Sequence, residues 1–550
     1  METSQPLSSL QSVSHSQKWW LALLIAALPA VAFITMLGRT TVNIPKGDDF
    51  YLLLSFMSDW KEAGSPAAHF HLLVSQFSGH RLIFTRCMAL LGYLFTGRLN
   101  LVFLQVSSWL GWLVLTFGLA AMTPSLRRDP IMALPLTLLL MHPQGLTNFL
   151  MAIAMCCMWG TVFSFLALAT MFSRRRTIFC LSLVFATTAA ASFVNGILAF
   201  PVAVLGLVAQ RRFARAGIFL ALGGLVWALY FTHYSSQLAP LNLAGLAYRA
   251  VIMAGGMFVV LRLPEWTAVM GGVAIFLPSA WLVSSLWVSR RLPVHLWFAV
   301  LLVLTILMAA RGRTGWPPYY MLQDRYQLYG LLLLAVCYLA VAEFFLNRRR
   351  LVLWFASGLA FVFCFISYAD RVAPMLMQRQ WCRATAMNWQ LGQYFICTVP
   401  EGWPATSRWL QHAYDNGVYE LPRIFTDVEL AAIRAARSTP INATQQLRLE
   451  PDGASCGQIG FPDAGPAASP SETPLFAILT VDRRDFVLPV VHQRERFAKI
   501  FSQFSLVNPE YGLLLPGAVC FKGRHEVRCF ARAPGGAGLK ICWSGFFVYP

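Results

Sequence analysis

Carboxylates are scarce in the first two thirds of this sequence. Residues 1–368 carry nine Asp and Glu, two of them adjacent in Gly47-Asp48-Asp49-Phe50. A carboxylate there can take a proton from an attacking hydroxyl, and a pair can hold a hard divalent cation through oxygen. Basic side chains form the complementary set: His80-Arg81 with Arg86 five residues on, Arg311-Gly312-Arg313, and Asp324-Arg325-Tyr326, preceded by Tyr319-Tyr320. Guanidinium groups match phosphate oxygens bidentately, so these groups suit an anionic phosphate. The plainer account has the arginines reaching to lipid headgroups or pairing with Asp48, Asp49 or Asp324. Asn148, Asn195 and the His142-Pro143-Gln144 turn add neutral donors and acceptors, for which capping a helix end is the commoner role.

The elements that must position these residues are membrane spans. The chain has 550 residues, 57% of them hydrophobic and 12% charged, with a mean hydropathy of +0.58. Soluble domains carry about 25% charged residues, which excludes a soluble multidomain enzyme. The net charge of +19 raises nucleic acid as a partner, but its location removes it: residues 1–368 hold 25 Lys and Arg against nine acids, and residues 369–550 hold 18 against 15. The basic excess belongs to the hydrophobic part. A bilayer core about 30 Å thick needs roughly 20 apolar residues per helix. About eleven such segments occur, near 19–38, 100–122, 130–148, 149–172, 177–194, 196–210, 216–233, 266–289, 293–310, 327–346 and 351–368.

Positively charged short loops stay in the cytoplasm. With eleven spans and residues 1–18 cytoplasmic, Arg127-Arg128, Arg174 to Arg176, Arg211-Arg212 with Arg215, Arg290-Arg291 and Arg348 to Arg350 all fall on the cytoplasmic side. The stretches 82–97 and 247–262 then read as helices at or dipping into the outer surface. The acid pair and the three basic groups lie on the outer side, His80-Arg81 and Asp48-Asp49 within an outer-face loop over 39–99. Trp19 to Leu37 lacks a convincing cleavage site and reads as a retained signal-anchor.

After residue 368 the composition becomes that of a soluble domain. Residues 369–450 carry helical periodicity, as in Asp427 to Arg437; residues 451–474, crowded with Gly, Pro and Ser, read as a linker; residues 475–550 alternate short apolar runs with turns and read as a small β-rich module. The expected fold is a polytopic α-helical membrane protein of about eleven transmembrane helices with a C-terminal extracytoplasmic α+β domain. Six cysteines, Cys382, Cys397, Cys456, Cys520, Cys529 and Cys542, lie in that tail, an even number in a disulfide-permissive compartment. Cys382 with Cys397 and Cys529 with Cys542 are nearest in sequence, and unpaired thiols are the alternative.

An acid pair after the first span, a surface helix, a His-Arg pair, an Arg-Tyr opening a late span and an extracytoplasmic C-terminal domain together resemble the C-type superfamily of integral membrane glycosyltransferases, which use polyprenyl-phosphate-linked sugars. The resemblance covers residues 19–368 and rests on Gly47-Asp48-Asp49-Phe50, His80-Arg81 and Asp324-Arg325-Tyr326 in that order. It implies that Asp49 or Asp48 is the catalytic or metal-binding carboxylate. It further implies that Arg325, with Arg311, Arg313 and Tyr326 beside it, holds the donor phosphate, and that His80, Arg81, Asn148 and Asn195 contact substrate. Many members carry an acid just before the His-Arg pair, where this chain has Gly79.

The activity so implied is transfer of a hexosyl or pentosyl group, with inversion, from a polyprenyl-phosphate donor to a cell-envelope glycan or lipid acceptor. The place is the outer face of a bacterial inner (cytoplasmic) membrane. Membrane lipids are the other expected partners and nucleic acid is not one. No cofactor is fixed; a divalent cation on Asp48 and Asp49 is the open option. The rivals are a transporter or lipid-linked-glycan flippase, disfavoured because charges sit at span ends and no internal repeat is found, and a glycan polymerase or ligase, which would not require the acid pair.

Overall fold

A computed structural model describes residues 15–77, 79–234, 240–259, 264–289, 293–399, 403–438, 449–452, 455–460, 476–481, 484–492, 511–515, 523–532 and 539–549. The chain is mostly helical. The helices are α1 (His15–Thr40), α2 (Ser55–Glu62), α3 (Pro66–Val74), α4 (Ile83–Thr96), α5 (Leu101–Ala121), α6 (Pro124–Arg128), α7 (Leu134–Leu140), α8 (Thr147–Leu150), α9 (Met155–Met171) and α10 (Arg176–Ser192). They continue as α11 (Ala199–Ala209), α12 (Phe213–Phe231), α13 (Leu243–Gly255), α14 (Trp266–Ser289), α15 (Pro293–Arg311), α16 (Asp324–Phe344), α17 (Arg349–Gln390), α18 (Trp403–Asp415) and α19 (Asp427–Ser438).

Among the described residues six helices are long and apolar enough to cross a membrane: Trp20–Thr40, Leu101–Ala121, Phe213–Phe231, Val294–Arg311, Asp324–Phe344 and Arg349–Gln390. The other expected segments also fall on helices, shorter ones except for α14, which runs 24 residues. The segment at 130–148 yields a helical run over Pro130–Leu140 that stops before His142-Pro143, because proline cannot continue a helix and holds the preceding residue in extended backbone. Phe193, extended at φ −159° and ψ 154°, ends α10 and leads into a 3-10 turn over Val194–Leu198. The stretch 82–97 forms α4, closed by Gly97 at φ +70°. The stretch 247–262 lies in α13 and the 3-10 turn after it, its last three residues falling outside the described ones.

The chain divides into two compact units. The first comprises Met1–Arg39, Trp109–Leu146 and Cys157–Ala369. Its helices α13, α14 and α16 meet backbone to backbone: a Cβ on Gly272 would lie 2.0 Å from the Val251 carbonyl oxygen, and one on Gly330 2.1 Å from that of Ala254. Small residues allow such approach where lipid offers no hydrophobic drive between helices. Polar pins join other elements. The Ser125 amide donates to Glu343 Oε2 at 3.0 Å, Thr123 Oγ1 lies 2.9 Å from His295 Nε2, and Arg349 approaches Asp129 at 3.9 Å.

The second unit comprises Thr40–Ser108, Thr147–Cys156 and Asp370–Pro550. The expected outer loop and the tail thus share one unit, and a short segment around α8 joins them. The ties include a backbone bond, from the Leu99 amide to the Val418 oxygen at 2.7 Å, and a side-chain one, from Tyr419 Oη to the Asn43 oxygen at 2.6 Å. Strands β1 (Gln76–Phe77) and β2 (His80–Arg81) form a small hairpin.

Seven further strands form one antiparallel sheet: β3 (Leu449–Asp452), β4 (Ser455–Gly460), β5 (Phe476–Val481), β6 (Arg484–His492), β7 (Tyr511–Leu515), β8 (Gly523–Arg532) and β9 (Leu539–Tyr549), in spatial order β3-β4-β7-β6-β5-β8-β9. The region read as linker therefore opens with two strands, and its residues 461–474 lie outside the described ones. Phe476, Ile478, Val487 and Phe530 of the sheet pack with Met387 of α17, Phe425, and Leu430 and Ile433 of α19. Two amides of α17 fix the register. Asn388 Oδ1 accepts from the Val487 amide at 2.7 Å while its Nδ2 donates to the Val487 oxygen at 2.9 Å, and Gln390 Oε1 accepts from the amides of Ile424 and Phe425.

The Cys382–Cys397 pairing is not formed; both are buried thiols. Cys397 Sγ lies 3.5 Å from the Val487 oxygen, Asn388 Nδ2 donates to it at 3.3 Å, and burial pushes this thiol up, which suppresses the thiolate needed for exchange. The thiols of Cys456, Cys520 and Cys542 lie outside the described residues.

Candidate functional sites

In the second unit the chain leaves α1 through an irregular loop and turns at Gly47, φ +47°. Asp49 follows, fully enclosed, and both its oxygens serve backbone donors: Oδ2 accepts from Lys46 N at 3.1 Å and Ala152 N at 3.3 Å, and Oδ1 from Ile153 N at 2.8 Å. Lys46, also buried, sends its Nζ to the Leu150 oxygen at 3.0 Å, where Gln105 Nε2 donates as well. Enclosure pushes the Asp49 carboxyl up to about 7, against the lowering influence of the three amides and the Lys46 ammonium. Asp49 thus holds the first loop to the 150–153 turn.

Asp48 is half-buried, and Tyr51 Oη donates to its Oδ1. Tyr51 lies in a π-helical turn, Phe50–Leu54, a local irregularity frequent at functional sites. Its ring is 5.3 Å from that of Phe77 and 5.6 Å from that of Trp409. The two adjacent acids therefore have different chemistry open to them: Asp49 is saturated inside the protein, and Asp48 can meet an outside group.

His80 and Arg81 form β2, paired with Phe77 and Gln76 across the turn that contains Gly79. Gly79 sits at φ +80°, a conformation that an acidic side chain would strain, which accounts for glycine there. Arg81 donates to the Val74 oxygen at 2.6 Å. Buried Arg86 donates to the oxygens of Leu73 and Ser75 and stacks over Phe56 at 5.1 Å. These arginines close the C-terminal end of α3. Asn148, in α8, is buried.

In the first unit the end of α15, the loop after it and the start of α16 collect the second group. Arg313 Nε donates to Tyr326 Oη at 2.9 Å, and its guanidinium lies 5.8 Å from the Trp316 ring and 5.7 Å from that of Tyr326. Arg325 stands over the Tyr326 ring at 5.2 Å. Arg311 donates to Thr314 Oγ1 at 2.9 Å, and Arg249, missed in the sequence, donates to the Trp316 oxygen at 2.9 Å. Trp316, Tyr319 and Tyr320 form a contiguous aromatic run, with Trp316 and Tyr319 exposed. Among the described residues neither Arg311 nor Arg313 pairs with a carboxylate. Asn195 is buried, its Nδ2 donating to Tyr329 Oη at 3.2 Å, and buried His142 accepts from the Gln144 amide at Nδ1.

For a divalent cation, Asp49 is fully enclosed and both its oxygens already accept from backbone amides. Among the described residues the His and carboxylate groups close enough to share an ion are Asp59, Glu62 and His412. There Glu62 already accepts from Asn416 Nδ2 at 2.7 Å and lies 3.2 Å from His412 Nε2, a tie between α2 and α18. Sequence reading missed Tyr51, Lys46, Gln105 and Trp409. The Asp48–Tyr51 spacing of one helical turn was the available signal. No family model, no curated protein and no solved structure matches the chain.

Proposed function

We propose that the chain is a membrane glycosyltransferase of the C-type kind, with eleven spans, a cytoplasmic N-terminus and its C-terminal domain outside the bacterial cytoplasmic membrane. It moves a sugar from a polyprenyl phosphate to a hydroxyl of an envelope glycan or lipid. The observation that carries this reading is the arginine group over 311–325, stacked on aromatic rings and, at Arg311 and Arg313, without a carboxylate partner among the described residues. In a chain with so few acids, such cations suit a phosphate monoester.

Asp48 is the general base and Asp49 its positioning neighbour, a choice supported by the saturation of Asp49 and the partial exposure of Asp48. The acceptor hydroxyl oxygen attacks the anomeric carbon, its proton passes to Asp48, and the bond from that carbon to the phosphate oxygen breaks. Polyprenyl phosphate leaves, its charge met by Arg325 with Arg311 and Arg313. Displacement in one step inverts the anomeric centre. No step requires a metal.

The test is transfer of sugar from lipid donor by detergent-purified protein. Asp48→Asn lowers the rate by about 10²–10⁴-fold, and Arg325→Ala by about 10²–10³-fold. Full transfer by both variants refutes the assignment. A flippase would make no glycosidic bond, and a polymerase or ligase would require a lipid diphosphate donor.

A further inference from the structure

The turn that follows α17 and the helix α18 border an open cleft of about 570 Å³ in the second unit, within the range of small-ligand sites, roughly 300–1,000 Å³. One wall is Tyr394, half exposed and held with φ +53°, a backbone region that non-glycine residues avoid. Such strain persists where the surroundings hold a side chain in place. The Tyr394 ring meets Trp389 edge-on at 4.7 Å, so Trp389 props it upright without covering both faces. The opposite wall is α18, which presents the adjacent Ser407 and Arg408, with Gln411 one turn further on.

The polar groups here are largely unspent. Among the described residues Gln393 and Arg408 have no hydrogen-bond or ion-pair partner through their side chains. Ser407 Oγ donates to the Pro404 oxygen, leaving its lone pairs, and Gln411 Nε2 donates to Asp415, leaving its Oε1. An upright aromatic face, amide and hydroxyl groups around it, and one uncompensated guanidinium form a complement to a particular chemistry. The C–H face of a pyranose packs on the ring, its hydroxyls meet the amides, and a carboxylate on the sugar meets Arg408.

We propose that this cleft binds an acidic oligosaccharide, one whose units include a uronic or comparable carboxylated sugar, and that it is the seat of the growing or accepting glycan. Only the second clause rests on the glycosyltransferase reading. The experiment uses the full-length protein in detergent, without donor, titrated calorimetrically with tri-galacturonic acid and with its methyl ester. The acid binds and the ester binds at least tenfold more weakly. Arg408→Gln weakens the acid at least tenfold, to the level of the ester. Tyr394→Phe keeps affinity within threefold, whereas Tyr394→Gly, which suits the local backbone and retains the fold, weakens it at least tenfold.

Absence of binding to the acid, equal binding of acid and ester, or affinity unchanged in Tyr394→Gly and Arg408→Gln each overturns the proposal. Because donor is absent, loss of sugar transfer with binding intact refutes the enzyme and not the cleft. Transfer that proceeds unaltered in Tyr394→Gly and Arg408→Gln, with no binding of the acid, refutes the cleft and not the enzyme.

Discussion

Asp49 and the arginines over 311–325 are both ionisable centres in an acid-poor chain, yet they are built in opposite ways. Asp49 is enclosed, and three backbone amides and the Lys46 ammonium answer its charge. Arg311 and Arg313 are half-buried and lean, among the described residues, on neutral rings and hydroxyls. A carboxyl group enclosed by the protein, with three internal donors on its oxygens, has little left to offer a ligand. A charge that is oriented but not neutralised has more, and the difference separates structure from chemistry better than residue type.

The largest test of that contrast is to remove the saturated group. Asp49→Ala strands three buried amides and the Lys46 ammonium, and uncompensated buried partners of this sort cost about 3–5 kcal/mol. The expected result is a lowered unfolding midpoint in detergent and faster hydrogen exchange at Ala152 and Ile153. Wild-type exchange at those amides in the variant would mean that the carboxylate is not what holds the turn.

A somewhat smaller effect is expected from pH. The Asp49 carboxyl titrates at about 7 in the folded protein against 3.8 in its ordinary state, so the native state holds the proton more tightly than the unfolded one. Its contribution is fully present below 3.8 and is lost as pH rises through about 7. At about 1.4 kcal/mol per unit of displacement, the fall is about 4 kcal/mol at most. Asp49→Asn should flatten that part of the stability profile, while Arg313→Gln should leave its shape unchanged.

Smaller again is Asn388→Ala, which unmakes the paired bonds to Val487. Leaving a buried donor and acceptor unanswered costs about 1–3 kcal/mol, read as earlier unfolding of the sheet by tryptophan fluorescence. Unchanged unfolding would mean that the apolar cluster around Phe476 alone sets the docking of α17.

How much of this was legible follows from where the partners come from. The arginine group spans residues 311–325, so its members stand together in the sequence as in the structure. The Asp48-Asp49 pair was visible through the scarcity of acids, but not the division of labour within it. The donors to Asp49 include main-chain amides of Ala152 and Ile153, a hundred residues away, and a backbone amide carries no signal in residue type. The same blindness made residues 451–460 read as linker, since β3 and β4 there are defined by ladder bonds to each other and from β4 to β7. Apolar runs showed where the helices lie, and prolines where they stop. The second half of α17, polar and past the last span, was expected as helix but not as one continuous helix from Arg349 to Gln390.

The smallest effect tests whether saturation or burial is the governing property. Arg98 and Glu420 pair at the surface, their side chains about half exposed, beside the bond from Leu99 N to the Val418 oxygen. If an answered charge were stabilising in itself, this pair would matter as Asp49 does. Exposed pairs are screened by water and salt and contribute about 0–1 kcal/mol. A double-mutant cycle with Arg98→Ala and Glu420→Ala should therefore give a coupling below about 1 kcal/mol that shrinks further in high salt. A coupling near that of Asp49 would mean that this edge of the second unit excludes water, and that exposure is the wrong property by which to tell the two kinds of charge apart.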